Sequence, residues 1–323
     1  MDIIIADARG AELGYLTQRR EMDVEIGGDN TFEILIDGAE CRPEYTAWCR
    51  WYVPGGEIGG LITDIEKQAD GYVALRGDVW RGLLNRKILC PAAGETEQKV
   101  SGELNAVIAQ LIAGRFGDLA AADTTSTGIT VENYSFPYCC TLLAGLERML
   151  GEKGHRLSLR YNAVDKKLHV GAVPVTDHSA RLEYGSDSRV QFASRQYWGT
   201  THLICLGNDE TDRRLIRHLY VQPDGTITQA AASSGLEERE AVLDFSNAKS
   251  EEELLEKGRE ALEKEKSYTS MSFYFNGEEM DIPIGDIVGG RDRSAGLEIK
   301  KPIVRKIIRV NGLSDSIECE VGD

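Results

Sequence analysis

No stretch of about 18 consecutive apolar residues occurs in the 323-residue chain, so no segment has the composition of a membrane-spanning helix. The opening residues, MDIIIADARG, lack the basic start and long apolar middle of a secretory signal, so a soluble protein made in the cytoplasm, with no membrane anchor, is expected. Basic charge is in short supply: 37 Lys and Arg face 53 Asp and Glu, a formal net charge of −16. Such a balance argues against specific nucleic-acid binding, which needs cations to displace counterions from phosphates. The seven cysteines (Cys41, Cys49, Cys90, Cys139, Cys140, Cys205 and Cys319) contain no C-x-x-C pair, and an odd, scattered set predicts reduced thiols. His155, His169, His178, His202 and His218 show no metal-ligand spacing, so neither a metal nor a cofactor is expected.

Catalytic signatures are missing too. There is no G-x-S-x-G elbow and no H-E-x-x-H. Gly55-Gly56-Glu57-Ile58-Gly59-Gly60 departs from a dinucleotide loop because Glu57 stands where the second glycine belongs and would set a carboxylate against a pyrophosphate. It also lacks the Lys-Ser/Thr ending of a P-loop; paired glycines suit a bulge or tight bend at a barrel corner instead. Gly285 to Arg293 reads the same way, as Asp286 and Asp292 offset Arg291 and Arg293 around a strand-like Ile287-Val288. Asp177, His178 and Ser179 are consecutive, and consecutive strand residues face opposite sides, which argues against a relay. Cys139-Cys140 precede a helix without an accompanying base and read as packing residues, and Asn208, Asp209 and Asp212 lack EF-hand spacing.

What is present is a mainly β pattern with an α/β insert. Phe32, Ile34 and Ile36 alternate with Glu33, Leu35 and Asp37 up to Asp37-Gly38, and Leu61 to Ile65 and Tyr72 to Trp80 read as further strands. After Pro91 the period changes. Ser101 is a candidate N-cap for a helix over 102–114 bearing Leu104, Val107, Ile108, Leu111 and Ile112. A second helix over 138–150 carries Leu142, Leu143, Leu146 and Met149, with Gly151 or Gly154 as its stop. A hairpin over Leu157 to Val173 follows. Strands resume from Arg181, interrupted by an amphipathic helix over 247–266 with Ser250 and Glu253 as a capping box, and an Asn276-Gly277 turn precedes the last strands. The division expected is a first β-barrel or sandwich over 1–95, an α/β insert over 96–180, and a second β-barrel with its packed helix over 181–323.

Several short pieces also fall in a recognisable order. Glu57-Ile58-Gly59-Gly60-Leu61-Ile62, Trp80-Arg81-Gly82-Leu83-Leu84 and Ile88-Leu89-Cys90-Pro91 resemble the first barrel of siphophage tail hub proteins. Ser101 to Val107, Ala172-Val173-Pro174, His202 to Gly207 and Gly285-Asp286-Ile287-Val288-Gly289-Gly290 continue that resemblance over nearly the whole chain. The family resembles the baseplate hub and the N-terminal part of tail-associated lysins. Its structural motif positions would here be Gly59, Gly60, Trp80, Gly82, Asp286, Gly289 and Gly290.

The resemblance implies a virion protein of the tail tip, assembled in the host cytoplasm and lacking enzymatic activity. It implies a homotrimer whose paired barrels present a pseudo-sixfold ring to the tail tube, around the channel through which DNA leaves. Partners implied are a distal tail or tail-tube ring protein and further tail-tip or fibre proteins. An acidic channel wall would not trap passing DNA. Any wall digestion is expected from a separate polypeptide, since the sequence ends at Asp323 without a hydrolase region. Two other readings compete: a phage-associated cell-wall hydrolase using acidic clefts, and a carbohydrate-binding adhesin using Trp48, Trp51 and Tyr52.

Overall fold

The computed structural model of the chain describes residues 2–16, 19–95, 97–137, 139–179, 183–185, 190–196, 199–208, 214–232, 234–248, 250–266, 268–275, 282–292, 297–311 and 314–322. The turn expected at Asn276-Gly277 lies outside them, as do Arg293, Asp209 and Asp212. Strands hold 46% of the residues and helices 16%, which makes the protein mainly β. Two compact units are present: Met1–Phe192 together with Met271–Asp323, and Ala193–Ser270.

In the first unit one antiparallel sheet curls into a half-barrel. From the Met271 end of Tyr268–Phe275 it runs through Ser314–Val321, Leu297–Asn311, Arg19–Ile26, Thr31–Asp37, Tyr72–Val79, Gly59–Lys67, Arg50–Tyr52 and Ile4–Ala6 to Glu12–Tyr15. Phe32, Ile34 and Ile36 are buried as expected, but Leu35 on the opposite face is buried too, so the alternation in Thr31–Asp37 is broken there. Leu297–Asn311 binds the unit together. Its first part pairs with Ile287–Asp292, and its second part lies between Arg19–Ile26 and Ser314–Val321. Compactness therefore groups the last strands with the first ones, whereas the order of patterns along the sequence grouped them with 181–270. Pairing between Ile308 and Val24 leaves no trace in local periodicity.

The α/β insert packs onto this sheet within the same unit. Helix α1 (Trp80–Asn85) follows directly from a strand, where the sequence suggested that the strand ends at Trp80 and assigned no helix. Helix α2 (Leu104–Ile112) is shorter than expected, and its N-cap is Glu103, not Ser101. Ser101 sits in the strand Lys99–Glu103; Glu103 Oε2 accepts from the backbone N–H of Asn105 and Ala106 at 2.9 and 3.2 Å. Glutamate is an uncommon cap, but the same carboxylate also receives Thr127, which anchors the facing loop.

Helix α3 (Leu142–Gly151) begins at Thr141 and stops at the expected glycine. The expected hairpin is formed by His155–Asn162 and Lys167–Pro174, and Ala120–Ala122 adds a parallel third strand. Val107, Ile108, Leu146, Met149, Leu157 and Leu159 form the core of the insert with Trp80 and Leu84. Cys90 and Cys139 form a disulfide across 49 residues, which corrects the expectation of seven reduced thiols. The strand pair Ile88–Leu89 and Cys140–Thr141 brings their backbones together, a proximity that residue spacing does not reveal.

The second unit is a four-stranded sheet in the order Ile227–Thr228, Arg214–Val221, His202–Asn208, Glu240–Asp244. Helix α4 (Glu251–Glu265) covers one face, burying Leu254, Leu255 and Leu262 against Leu203, Cys205 and Leu219. Its cap is the one expected, with Ser250 Oγ accepting from the N–H of Glu253 at 3.2 Å. At Gly258 the helix lies close against the sheet. A Cβ there would lie 2.4 Å from Cys205 Sγ and 2.8 Å from Leu219 Cδ1.

Candidate functional site

The strand Tyr72–Val79 delivers Trp80 into the interior, where its ring is fully buried and stacks on Tyr161 with centroids 5.3 Å apart and planes 14° apart. Space for the indole comes from Gly59, while Gly60 and Gly82 let neighbouring backbone come close. A Cβ on Gly59 would lie 2.5 Å from Trp80 Nε1, one on Gly60 2.3 Å from the Asp78 carbonyl oxygen, and one on Gly82 2.5 Å from the Asn30 carbonyl oxygen. Gly59, Gly60, Trp80 and Gly82 thus meet at one junction between the sheet and the insert. The glycine pair permits close approach of side chain and backbone at the start of the strand Gly59–Lys67, and no cradle for a phosphate remains.

Charge reinforces this junction. Arg81 is buried, and its guanidinium meets Glu57 at 2.6 Å and also pairs with Glu147. Burial works against the charge of Arg81, but the two carboxylates outweigh it and hold the guanidinium above its ordinary value. Glu57, the residue that spoils a phosphate loop, is here the counter-ion of a buried arginine. Arg50 adds a third tie, donating to the Tyr161 hydroxyl at 3.0 Å and to the carbonyls of Lys166 and Ala8 at 2.5 and 2.9 Å.

Asp286 organises a second cluster. It is 2% exposed and accepts from Arg156 Nε at 2.7 Å and from the Thr176 N–H at 2.9 Å, with His178 Nε2 at 3.3 Å. Gly289 and Gly290 lie not at a corner, as expected, but inside Ile287–Asp292, with Glu183–Gly185 paired on one side and Leu297–Asn311 on the other. Ser179 crosses over this strand, and a Cβ on Gly289 would stand 3.2 Å from the Ser179 Cβ. Between the two clusters lies a largely apolar cleft of about 840 Å³ bordered by Arg81, Glu147, Arg156, Leu157, Ile284 and Ile303.

The chemical readings of the sequence find no support in this geometry. Asp177 is engaged by Lys300 at 2.6 Å and by the Ser179 N–H at 2.9 Å, while the carboxylate facing His178 is Asp286. Cys140 is not primed as a thiolate, because burial pushes its thiol up. Trp51 and Tyr52 are buried and Trp48 is exposed, so the three aromatics form no continuous sugar-stacking surface. Sequence reasoning missed the buried Arg81 and Arg50 and the half-buried Arg156 as network centres; the one available signal was Arg81 within the otherwise uncharged run Trp80 to Leu84. It also missed His202 and His218, which the hairpin of His202–Asn208 with Arg214–Val221 brings to 2.8 Å.

No protein-family model matches the chain, and no curated protein does. Solved structures do. The 43 kDa tail protein of prophage MuSo2 from Shewanella oneidensis superposes with a TM-score of 0.60 at 12% identity, over 99% of this chain and 98% of that one. This chain has the fold of phage tail proteins. A tail protein from Neisseria meningitidis MC58 gives 0.57 at 12% identity over 100% and 96% of the two chains. Prophage tail protein gp18 from Listeria monocytogenes EGD-e gives 0.52 at 12% identity over 100% and 94%. At such identities the likeness is one of fold, and it takes in both compact units.

Proposed function

We propose that the chain is a structural, non-enzymatic component of the tail of a phage or phage-like particle, working as a baseplate hub at the tail tip. The observation that carries this is the likeness to a prophage tail protein over 99% of this chain and 98% of that one. A structural role is supported by the use of the glycine- and charge-rich motifs for packing: Glu57 and Glu147 are tied to Arg81, and Asp286 to Arg156. In this reading Gly59, Gly60, Trp80, Gly82, Asp286, Gly289 and Gly290 keep the half-barrel and insert in fixed register for assembly.

The hub acts as a homotrimer that closes the tail tube, next to a tail-tube or distal tail ring protein and further tip or fibre proteins. The net charge of −16 suits a channel wall that lets DNA pass. A closed threefold ring needs one heterologous surface that returns on itself after three copies, and such obligate contacts bury more than about 2,000 Å². Light scattering over a wide concentration range, alone and with the tail protein encoded beside it, tests this. A mass of three chains in either condition is expected. A monomer throughout, with no binding to the neighbouring ring, would remove the hub assignment.

A further inference from the structure

We infer that the second unit carries a divalent transition-metal site, suited to zinc, built from His202 Nδ1 and the carboxylates of Glu238 and Glu240. His202 stands on the central strand of the sheet, directly opposite Glu240 on one neighbour and Tyr220 on the other. Glu238, two residues before Glu240, projects to the same side. The Glu238 and Glu240 oxygens lie 3.0 and 3.2 Å from His202 Nδ1, and the three donor atoms all fall within 4.8 Å of one another.

Two features distinguish this from a chance acidic cluster. The side chain of His202 is only 6% exposed, and its Nδ1 has no partner in hydrogen-bonding geometry despite the two nearby carboxylates. An ionised N–H donor this close to a carboxylate would normally bond in the ring plane at about 2.7–2.9 Å. Ligands around a tetrahedral zinc with bonds of about 2.0–2.2 Å stand about 3.3–3.5 Å apart, so the two N···O spacings of 3.0 and 3.2 Å need widen by only a few tenths of an ångström to admit the ion.

The other ring nitrogen fits as well. His202 Nε2 meets His218 Nδ1 at 2.8 Å, and the ring stacks on Tyr220 with centroids 4.2 Å apart. A metal at Nδ1 uses that lone pair, so the proton sits on Nε2 and is donated to His218. A ligating histidine commonly has such an outer partner, which fixes its tautomer and orientation. One nitrogen and two carboxylates form a donor set that zinc accepts, with solvent completing the shell. The bound ion would pin Glu238 and the start of the edge strand Glu240–Asp244 to the central strand.

The test uses the full chain with its disulfide intact. Zinc is titrated in competition with a chromophoric chelator, and cobalt is added separately for its absorption spectrum. One equivalent of zinc should bind to the wild type, with at least tenfold weaker binding in the Glu238→Gln/Glu240→Gln double variant, whose substitutions lie at the surface and should leave the far-UV spectrum unchanged. His218→Gln should weaken binding while keeping the stoichiometry. Cobalt should give a tetrahedral d–d spectrum without thiolate charge transfer, which excludes Cys41 and Cys140 as the ligands. Absence of binding, binding that the double variant leaves intact, or a thiolate band would each overturn the assignment.

Discussion

Helices α1 and α4 have contrasting origins. Helix α4 in the second unit has 15 residues, a serine cap, three glutamates in its first turn and an apolar stripe for the sheet below. Helix α1 in the first unit has six residues, no side-chain cap and no charge suited to the helix dipole at either end. A helix that short does not form by itself, because nucleation costs more than so few backbone bonds return. It exists because Trp80 is stacked on Tyr161, and because Arg81 reaches Glu57 and Glu147 at sequence separations of 24 and 66. Order in the second unit thus begins with local signals, and order around α1 is imposed by distant partners.

If so, the first unit should suffer most from losing a buried ionic partner. Arg81→Ala leaves the largely buried Glu57 carboxylate without its counter-ion, while Glu147 can turn to solvent, and a loss of about 3 kcal/mol is expected. Denaturant titration followed by tryptophan fluorescence measures it, and a loss below about 1 kcal/mol would mean that α1 does not depend on this pair. Gly60→Ala comes next, at about 3 kcal/mol, because its methyl would meet a backbone carbonyl that cannot swing aside. Gly56→Ala is the control: its nearest neighbour is 3.8 Å away, so a change within about 0.5 kcal/mol is expected.

In the second unit the sign of one substitution is informative. Gly258→Ala gains about 1 kcal/mol of helix propensity but drives a methyl against Cys205 and Leu219, which costs about 1–3 kcal/mol. Net destabilisation of this unit in thermal unfolding is expected, and stabilisation would show that the helix can lift off the sheet. Smaller effects belong to the caps. Ser250→Ala should cost about 1 kcal/mol.

Glu103 gives its cap a pH dependence. Burial raises its carboxyl, but the Thr127 side chain and the backbone N–H groups of Thr127, Ala106 and Asn105 outweigh burial and bring it below the ordinary value of 4.5. The folded state therefore holds the ionised form more tightly than the unfolded state does. Its contribution is complete above the unfolded value and fades as pH falls through the folded one. The stability gap between wild type and Glu103→Gln should therefore narrow below about pH 4.5, as unfolding at a series of pH values would show.

The sequence disclosed whatever repeats within a few residues. The stripe of α4, the faces of α2 and α3, the Phe32, Ile34 and Ile36 face of Thr31–Asp37 and the hairpin ending at Pro174 could all be read from it, because each element's inner face is set by its own period. The pairing of Ile308 with Val24, the Cys90–Cys139 bond and the carboxylates around Arg81 could not, because each joins segments that lie far apart in the chain. Gly59 and Gly60 illustrate the limit. Their spacing was enough to reject a phosphate loop, but Gly59 admits the indole of Trp80 and Gly60 the backbone of Asp78, and only the fold brings those there.

The proposed structural place at the tip of a tail is tested most directly by imaging assembled particles. Tails assembled with a tagged copy of this chain would be labelled with an antibody and averaged by electron microscopy. Label at one end of the tube only, on a threefold density that closes the channel, is expected. Label spread along the tube, or intact closed tips in particles that lack the chain, would contradict that place.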